Sequence, residues 1–289
     1  MPRVVTQDKV SLFYKDWGPR DGTPIVLLHG WPLTGDTFDD LAVALADDGY
    51  RSIVPDRRGF GRSDQPWDGY DYDTLASDVD AVLEDAGVSG SFAVAGFSMG
   101  GGEVAKLVAR HGNRITKAIL ISSVVPYMLQ TEDNPNGVPQ SMFDEITAGI
   151  KKDRAGFLTS FAKDFFGVGV IAQPVSDAVL HDFFRQAMMA GLRPTLGSAK
   201  AFGTTDFRGD LKHFTMPTLV IHGTKDATVP IDASAREVKK AVPQAQLIEY
   251  DGSAHGLFAT DKQRLTDDIR AFLGTAAESR SAIPMGQSA

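Results

Sequence analysis

The sequence predicts an α/β fold, a mostly parallel sheet flanked by helices and carrying one helical insertion. Three observations predict it. Six short runs rich in Val, Ile and Leu recur along the 289 residues, at 25–28, 51–55, 92–97, 118–122, 218–222 and 246–250. Longer segments with helical spacing separate most of them. After Ser123 the alternation stops for more than eighty residues and then resumes.

The first stretch, residues 4–17, alternates apolar and polar side chains and predicts an antiparallel hairpin at one edge of the sheet. The six apolar runs do not alternate. Strands buried on both faces of a parallel sheet read this way. Helical spacing follows at 38–48, 72–86, 99–111, 234–241 and 262–272. Strand, helix and parallel strand in succession imply crossovers with helices on both faces. The interval 126–210 has turn-forming residues from Asp133 to Gly137 and then amphipathic segments holding Phe157, Phe161, Phe165, Phe166, Phe183 and Phe184. Disordered segments are poor in aromatics, so this interval reads as a helical cap packed onto the sheet. The core domain is then 1–125 with 211–274. The last residues, 275–289, are small, polar and aperiodic and read as a flexible tail.

Hydrophobic residues make up 43% and charged residues 23%, the balance of an ordinary globular chain. A chain of this length buries a large core without cross-links. There is no cysteine, which excludes disulfides, thiolate catalysis and cysteine-ligated metals. The net charge of -8 argues against a nucleic-acid or anionic-membrane surface. No stretch approaches the roughly 20 apolar residues of a membrane span, and residues 1–18 lack the apolar centre of a signal peptide. The expectation is a soluble, cytoplasmic protein.

Gly96, Phe97, Ser98, Met99 and Gly100 form a G-x-S-x-G directly after one apolar run and directly before a helix. The pattern alone is weak; its position is informative. Glycines two residues either side of a serine permit a sharp strand-to-helix turn that lifts the hydroxyl above the sheet. The helix N-terminus behind it favours developing negative charge. Gly101 and Gly102 extend the small surface, so the backbone can lie against a neighbour or a substrate.

A serine hydroxyl needs a nearby base at neutral pH. His255 lies between Ala254 and Gly256, in a short turn after the last strand. Ligand sites in parallel sheets gather at that end of the strands. Of the other histidines, His29 precedes Gly30 in a loop and His111 ends a helix. His181 and His213 read as part of the insertion, and His222 closes a strand before Gly223. The acid should fall between serine and histidine in chain order. Asp226 follows the strand ending at His222, whereas residues 123–126 after the run at 118–122 contain no acid. Asp226 would hold the imidazole in one tautomer and stabilise its charged form; on its own it also suits a turn or helix cap.

Acyl transfer further needs donors for an oxyanion, one from the residue after the nucleophile and one from the loop after an early strand. These are the backbone N–H groups of Met99 and Trp31. Pro32 fixes its own φ and biases Trp31 away from helical geometry. That is ordinary turn chemistry on spacing alone, and it also sets the direction of the Trp31 carbonyl. Residues 56–64, from Asp56 through Arg57, Arg58 and Arg62 to Asp64, lack the lysine of a phosphate loop. Their charges read as a buried or half-buried brace among loops.

With these motifs in hand, the sequence from about residue 4 to 274 resembles the cofactor-free bacterial haloperoxidases and aryl esterases of the α/β-hydrolase superfamily, also called non-haem chloroperoxidases or perhydrolases. The resemblance rests on His29 to Pro32, Asp56 to Asp64, Gly96 to Glu103, His222 to Asp226, and Ala254 to Gly256. It implies an eight-stranded α/β-hydrolase sheet with a helical cap, catalysis by Ser98, Asp226 and His255, and oxyanion donors at Trp31 and Met99. No cofactor or metal is implied. Substrates would be small acyl or aryl esters or carboxylates, passing through an acyl-Ser98 intermediate. Water or hydrogen peroxide would accept the acyl group; peroxide gives a peracid, which oxidises halide indirectly. In that family a proline after the tryptophan accompanies perhydrolysis, with the tryptophan carbonyl reoriented toward peroxide, and Pro32 fits this.

The same residues also suit opening of a small lactam or lactone. Dehalogenase and epoxide-hydrolase relatives carry an aspartate where this chain has Ser98. A non-catalytic scaffold or receptor is the reading from another class, and the presence of all three triad members weighs against it. Bulky side chains around Trp31 and Met99 predict a small acyl pocket. Whether the chain forms a homo-oligomer is left open by the sequence.

Overall fold

The structure is a computed structural model and describes residues 2–275. Among the described residues eight strands form one sheet: β1 (Arg3–Val5), β2 (Ser11–Trp17), β3 (Thr23–Leu28), β4 (Tyr50–Pro55), β5 (Phe92–Phe97), β6 (Ile115–Ile121), β7 (Thr218–Gly223) and β8 (Gln246–Tyr250). Their spatial order is β1-β2-β4-β3-β5-β6-β7-β8. The first hairpin is antiparallel, with Val4 opposite Leu12, and β2 runs antiparallel to β4. Every later pairing is parallel. The hairpin predicted for residues 4–17 therefore lies at the edge, as expected.

Strands β5 and β7 are wholly buried, and β3, β4 and β6 are buried over their last four residues, because both faces are covered. Side chains alternate between two cores. Ile25, Leu27, Ala93, Ala95, Ile119, Ile121, Leu219 and Ile221 face one layer. Val26, Leu28, Phe92, Val94, Ala118, Leu120 and Val220 face the other. The first layer is closed by α1 (Asp39–Asp47), through Leu41 and Leu45. The second is closed by α2 (Tyr72–Asp85) and α3 (Gly100–His111), through Leu75, Val79, Val104 and Leu107. Strand β6 begins at Ile115, three residues before the predicted run. The polar Thr116 and Lys117, both half-buried, hid its start.

Between β6 and β7 come three helices: α4 (Gln140–Phe166), α5 (Asp177–Met189) and α6 (Leu192–Thr204). No strand interrupts them among the described residues; two isolated bridges near 129–138 are the only extended pairing there. Helix α4 is two helices joined at Asp153, whose φ of -156° and ψ of 89° are not helical. Its carboxylate accepts the Gly156 N–H at 3.0 Å and so caps the second half. That second half carries Phe157, Phe161, Phe165 and Phe166 down toward the sheet. Phe165, Phe166 and Phe183 are buried, and Phe184 packs at the margin of the same cluster. After β7 follow α7 (Ala235–Ala241), α8 (Leu257–Thr260) and α9 (Lys262–Leu273). His213, read from sequence as part of the insertion, instead ends a single 3-10 turn, Leu211–His213, that leads into β7. The predicted tail lies outside the described residues except for Thr275. No helix among the described residues is long and apolar enough to cross a membrane.

Candidate active site

Ser98 sits at the turn from β5 into α3, with φ of +53°. A non-glycine residue in this region is strained by about 1–3 kcal/mol and persists only where its surroundings fix it. Here they do. Ser98 N–H donates to the Ile121 carbonyl at 2.8 Å, and the Ser98 carbonyl accepts from Gly101 at 3.0 Å and Val124 at 3.3 Å. The flanking glycines are demanded by space. A Cβ on Gly96 would run into the Gly100 carbonyl, and one on Gly100 into the carbonyl of Leu28.

The loop after β3 lies against this turn. A Cβ on Gly30 would come within 2.9 Å of Ser98 Cβ. Trp31 is buried, and its indole N–H donates to the Thr195 carbonyl of α6 at 3.0 Å. The Trp31–Pro32 peptide bond is cis. Neither the Trp31 nor the Met99 backbone N–H has a hydrogen-bond acceptor among the described residues. At Met99, which starts α3, this is the ordinary state of a helix N-terminus, and it leaves both N–H groups free to meet a ligand.

Asp226 and His255 come together from two loops at the ends of β7 and β8. His255 Nδ1 lies 2.6 Å from Asp226 Oδ2. The other carboxylate oxygen accepts the N–H groups of Thr228 at 2.9 Å and Val229 at 2.8 Å. The two loops are tied by Lys225 N–H to the Ser253 carbonyl at 3.0 Å and Thr224 N–H to the Tyr250 carbonyl at 2.9 Å. Burial pushes the Asp226 carboxyl up, but His255 beside it and the hydrogen bonds from both His222 and His255 outweigh this. Its pKa is held well below the usual carboxylate range. The imidazole of His255 packs against Phe97 and Phe165, with ring centroids 5.0 and 4.7 Å away. Phe97 precedes Ser98 at the end of β5, so this packing ties the ring to the strand end that carries the serine. His255 Nε2 is buried with no hydrogen-bond partner, and it makes no hydrogen bond with Ser98 here. Catalytic hydrogen bonds are often long until substrate is bound.

A cavity of about 920 Å³ opens beside Ser98. Its walls are mostly apolar, including Trp31, Val124, Phe157, Phe161, Phe202 and Val229. Exposed Glu145, Asp164 and Lys225 also line it. Apart from Trp31, from the loop after β3, the aromatics come from the segment between β6 and β7, so that segment supplies much of the wall. The volume is at the upper end for ligand pockets and leaves room for more than a small acyl group.

The charged segment after β4 braces these loops, as its composition suggested. Asp56 is buried; it accepts Gly35 N–H at 2.8 Å and Arg62 Nε at 2.6 Å. Arg58 forms a two-pronged pair with Asp78 at 2.6 Å. Arg57 pairs with Glu103 of α3, and its backbone N–H donates to His29 Nε2 at 2.9 Å. Because Nε2 accepts, the Nδ1 proton of His29 goes to the Gly30 carbonyl at 2.9 Å. Burial, with Arg57 alongside, pushes the His29 pKa well down, so this histidine stays neutral. Burial also raises the Glu103 carboxyl, against the pull of Arg57.

The reading from sequence overlooked two contributors. Glu103 was seen only as part of a motif, although its partner Arg57 is 46 residues away. His222 was seen as a strand end, yet it lies 3.2 Å from Asp226 Oδ2. Its spacing four residues before Asp226, at the same strand end, was the available signal.

A parallel sheet bearing a serine on a strained strand-to-helix turn, beside an Asp–His pair, defines a class of protein. The chain belongs to the alpha/beta hydrolase fold family, which it matches over residues 23–262. Among its relatives are a non-heme chloroperoxidase of Kitasatospora aureofaciens, 42% identical over 276 residues, and a bifunctional esterase/perhydrolase of Acinetobacter calcoaceticus, 42% identical over 275. Each alignment covers 94% of this chain and 99% of the relative. The crystal structure of a bromoperoxidase from Bacillus anthracis superposes with a TM-score of 0.88 at 39% identity, covering 94% of this chain and 98% of that one.

Proposed function

We propose that this chain is a serine esterase with perhydrolase activity, in which Ser98 is the nucleophile, His255 the general base and Asp226 the group that orients the histidine. One observation carries the assignment. His255 gives one ring nitrogen to the Asp226 carboxylate at 2.6 Å and keeps the other buried and free of protein partners, beside the strained Ser98 turn. A base that must accept a serine proton needs that second nitrogen unoccupied.

In the proposed sequence Ser98 Oγ attacks the ester carbonyl while its proton passes to His255 Nε2. The oxyanion is met by the N–H groups of Trp31 and Met99, each worth about 3 kcal/mol in such sites. His255 then protonates the leaving alcohol. Water deacylates Ser98 to give a carboxylic acid, and hydrogen peroxide gives a peracid, the base taking the acceptor's proton in each case. The relatives named as chloroperoxidase and esterase/perhydrolase support both acceptors. Helices α4 to α6 act as a cap over the cavity. Its apolar wall favours esters of aryl or alkyl acids, and its volume allows acyl and alcohol parts to be accommodated together.

The test is hydrolysis of p-nitrophenyl acetate by the purified protein and by Ser98→Ala, followed by competition with hydrogen peroxide and detection of peracid. Turnover in the first, background rates in the second and peracid in the third are expected. Equal rates from both proteins would remove Ser98 as nucleophile.

A further inference from the structure

We infer that His222 is a second hydrogen-bond donor to Asp226, a positioning residue that sets how firmly and how basically the carboxylate holds His255. The inference rests on the assignment of Asp226 and His255 above. It comes from a side chain which that assignment leaves without a task.

His222 lies in β7, fully buried. Its Nε2 is 2.8 Å from the Val229 carbonyl and 3.2 Å from Asp226 Oδ2. A carbonyl and a carboxylate oxygen only accept, so Nε2 must carry a proton and share it between them. Nδ1 is buried with no partner. A buried polar atom left unpaired is costly, so filling space does not explain a histidine here, and the Nε2–H donor does.

The donor completes a closed loop. Val229 N–H binds Asp226 Oδ1, and the Val229 carbonyl receives His222 Nε2–H, which also reaches Asp226 Oδ2. Asp226 thus meets four nitrogens: the backbone N–H groups of Thr228 and Val229 on one oxygen, His222 and His255 on the other. The carboxylate cannot rotate without breaking the ring. Among the described residues the other ionisable group beside His222 is Glu249, its register partner on β8, whose carboxylate is held by Arg236 of α7 at 2.7 and 2.8 Å. The charge that His222 senses is therefore chiefly that of Asp226, with the imidazole of His255 beyond it.

The direction of the effect follows. A donor on Oδ2 drains negative charge that would otherwise stabilise the His255 imidazolium. Without it the carboxylate is more basic, and His255 holds its proton to higher pH.

The experiment compares His222→Leu, which removes the donor, with His222→Gln, whose amide N–H can reach the same acceptors. The pH profile of kcat/KM for p-nitrophenyl acetate is recorded for both, beside Ser98→Ala and a thermal melt of each. For His222→Leu the acid limb is expected to move to higher pH by about one unit, with kcat lowered roughly ten- to hundredfold and KM little changed. His222→Gln should restore the limb and recover most of kcat. An unshifted limb and wild-type kcat in a folded His222→Leu overturn the inference. So do equal losses in both variants with no shift of the limb, which would mark a merely structural role. Nitrogen NMR of wild-type imidazoles reads the tautomer of His222 directly; a proton on Nδ1 and none on Nε2 would also overturn it. That reading holds whatever the nucleophile, whereas full activity of Ser98→Ala overturns the esterase assignment instead.

Discussion

Asp226 concentrates several constraints in one side chain. Its Oδ1 takes two backbone N–H groups and its Oδ2 faces two imidazoles. An asparagine would fit the space and could keep Oδ1 on Thr228 and Val229. Its amide nitrogen would then face His255 Nδ1 as a donor, not an acceptor. His255 would be driven to carry its proton on Nε2, the atom proposed to take the proton of Ser98. We therefore expect Asp226→Asn to remain folded and to lose about 10⁴ in kcat, measured by ester hydrolysis beside circular dichroism. A loss of less than tenfold would remove Asp226 from the mechanism. The strained φ of Ser98 belongs to the same scale, because only glycines at 96 and 100 let the strand, the turn and the β3 loop approach so closely.

At the scale of elements, helices are fixed separately from the chemistry. Asp71 caps α2: its carboxylate accepts the Thr74 N–H at 2.9 Å and the Thr74 hydroxyl at 2.8 Å. The helix then packs Leu75, Val79 and Val82 onto the second core layer. Asp71→Ala should cost about 1 kcal/mol of stability, seen as a lower melting temperature, with kcat/KM unchanged. A matching fall in kcat/KM would show that α2 bears on the site directly. Helix α4 behaves differently. Its break at Asp153 aims the second half at the sheet, where Phe161 lines the cavity while Phe165 contacts His255. The same helix thus shapes the cavity beside Ser98 and packs the proposed base.

For the whole molecule, acid should destabilise. Asp16 is held low chiefly by Arg51. In Asp36 and Asp226 burial pushes the pKa up, yet ion pairs and hydrogen bonds still leave each below its ordinary value. A depressed folded-state pKa contributes stability that is complete above the unfolded value, about 4, and is lost as pH falls through the folded value. Asp78 and Glu103 work the other way, because burial raises them, and they make the slope shallower. Melting temperature is therefore expected to fall between pH 5 and about 3; a flat or rising value would contradict this balance of carboxylates.

Much of this was legible in the chain alone. Unbroken apolar runs marked the parallel strands, because a strand covered on both sides needs no polar face. G-x-S-x-G before a helix marked Ser98, since only that spacing relieves the turn. Chain order and strand ends singled out Asp226 and His255, and the charged run after β4 was read as a brace. Tertiary structure decided the rest. The pairing of Arg57 with Glu103, the packing of Phe165 against His255, the size of the cavity and the 3.2 Å approach of His222 to Asp226 all join residues through space. Sequence patterns report which face a side chain must bury. They do not report which distant partner meets it there, because that depends on how loops from different strands converge at one end of the sheet.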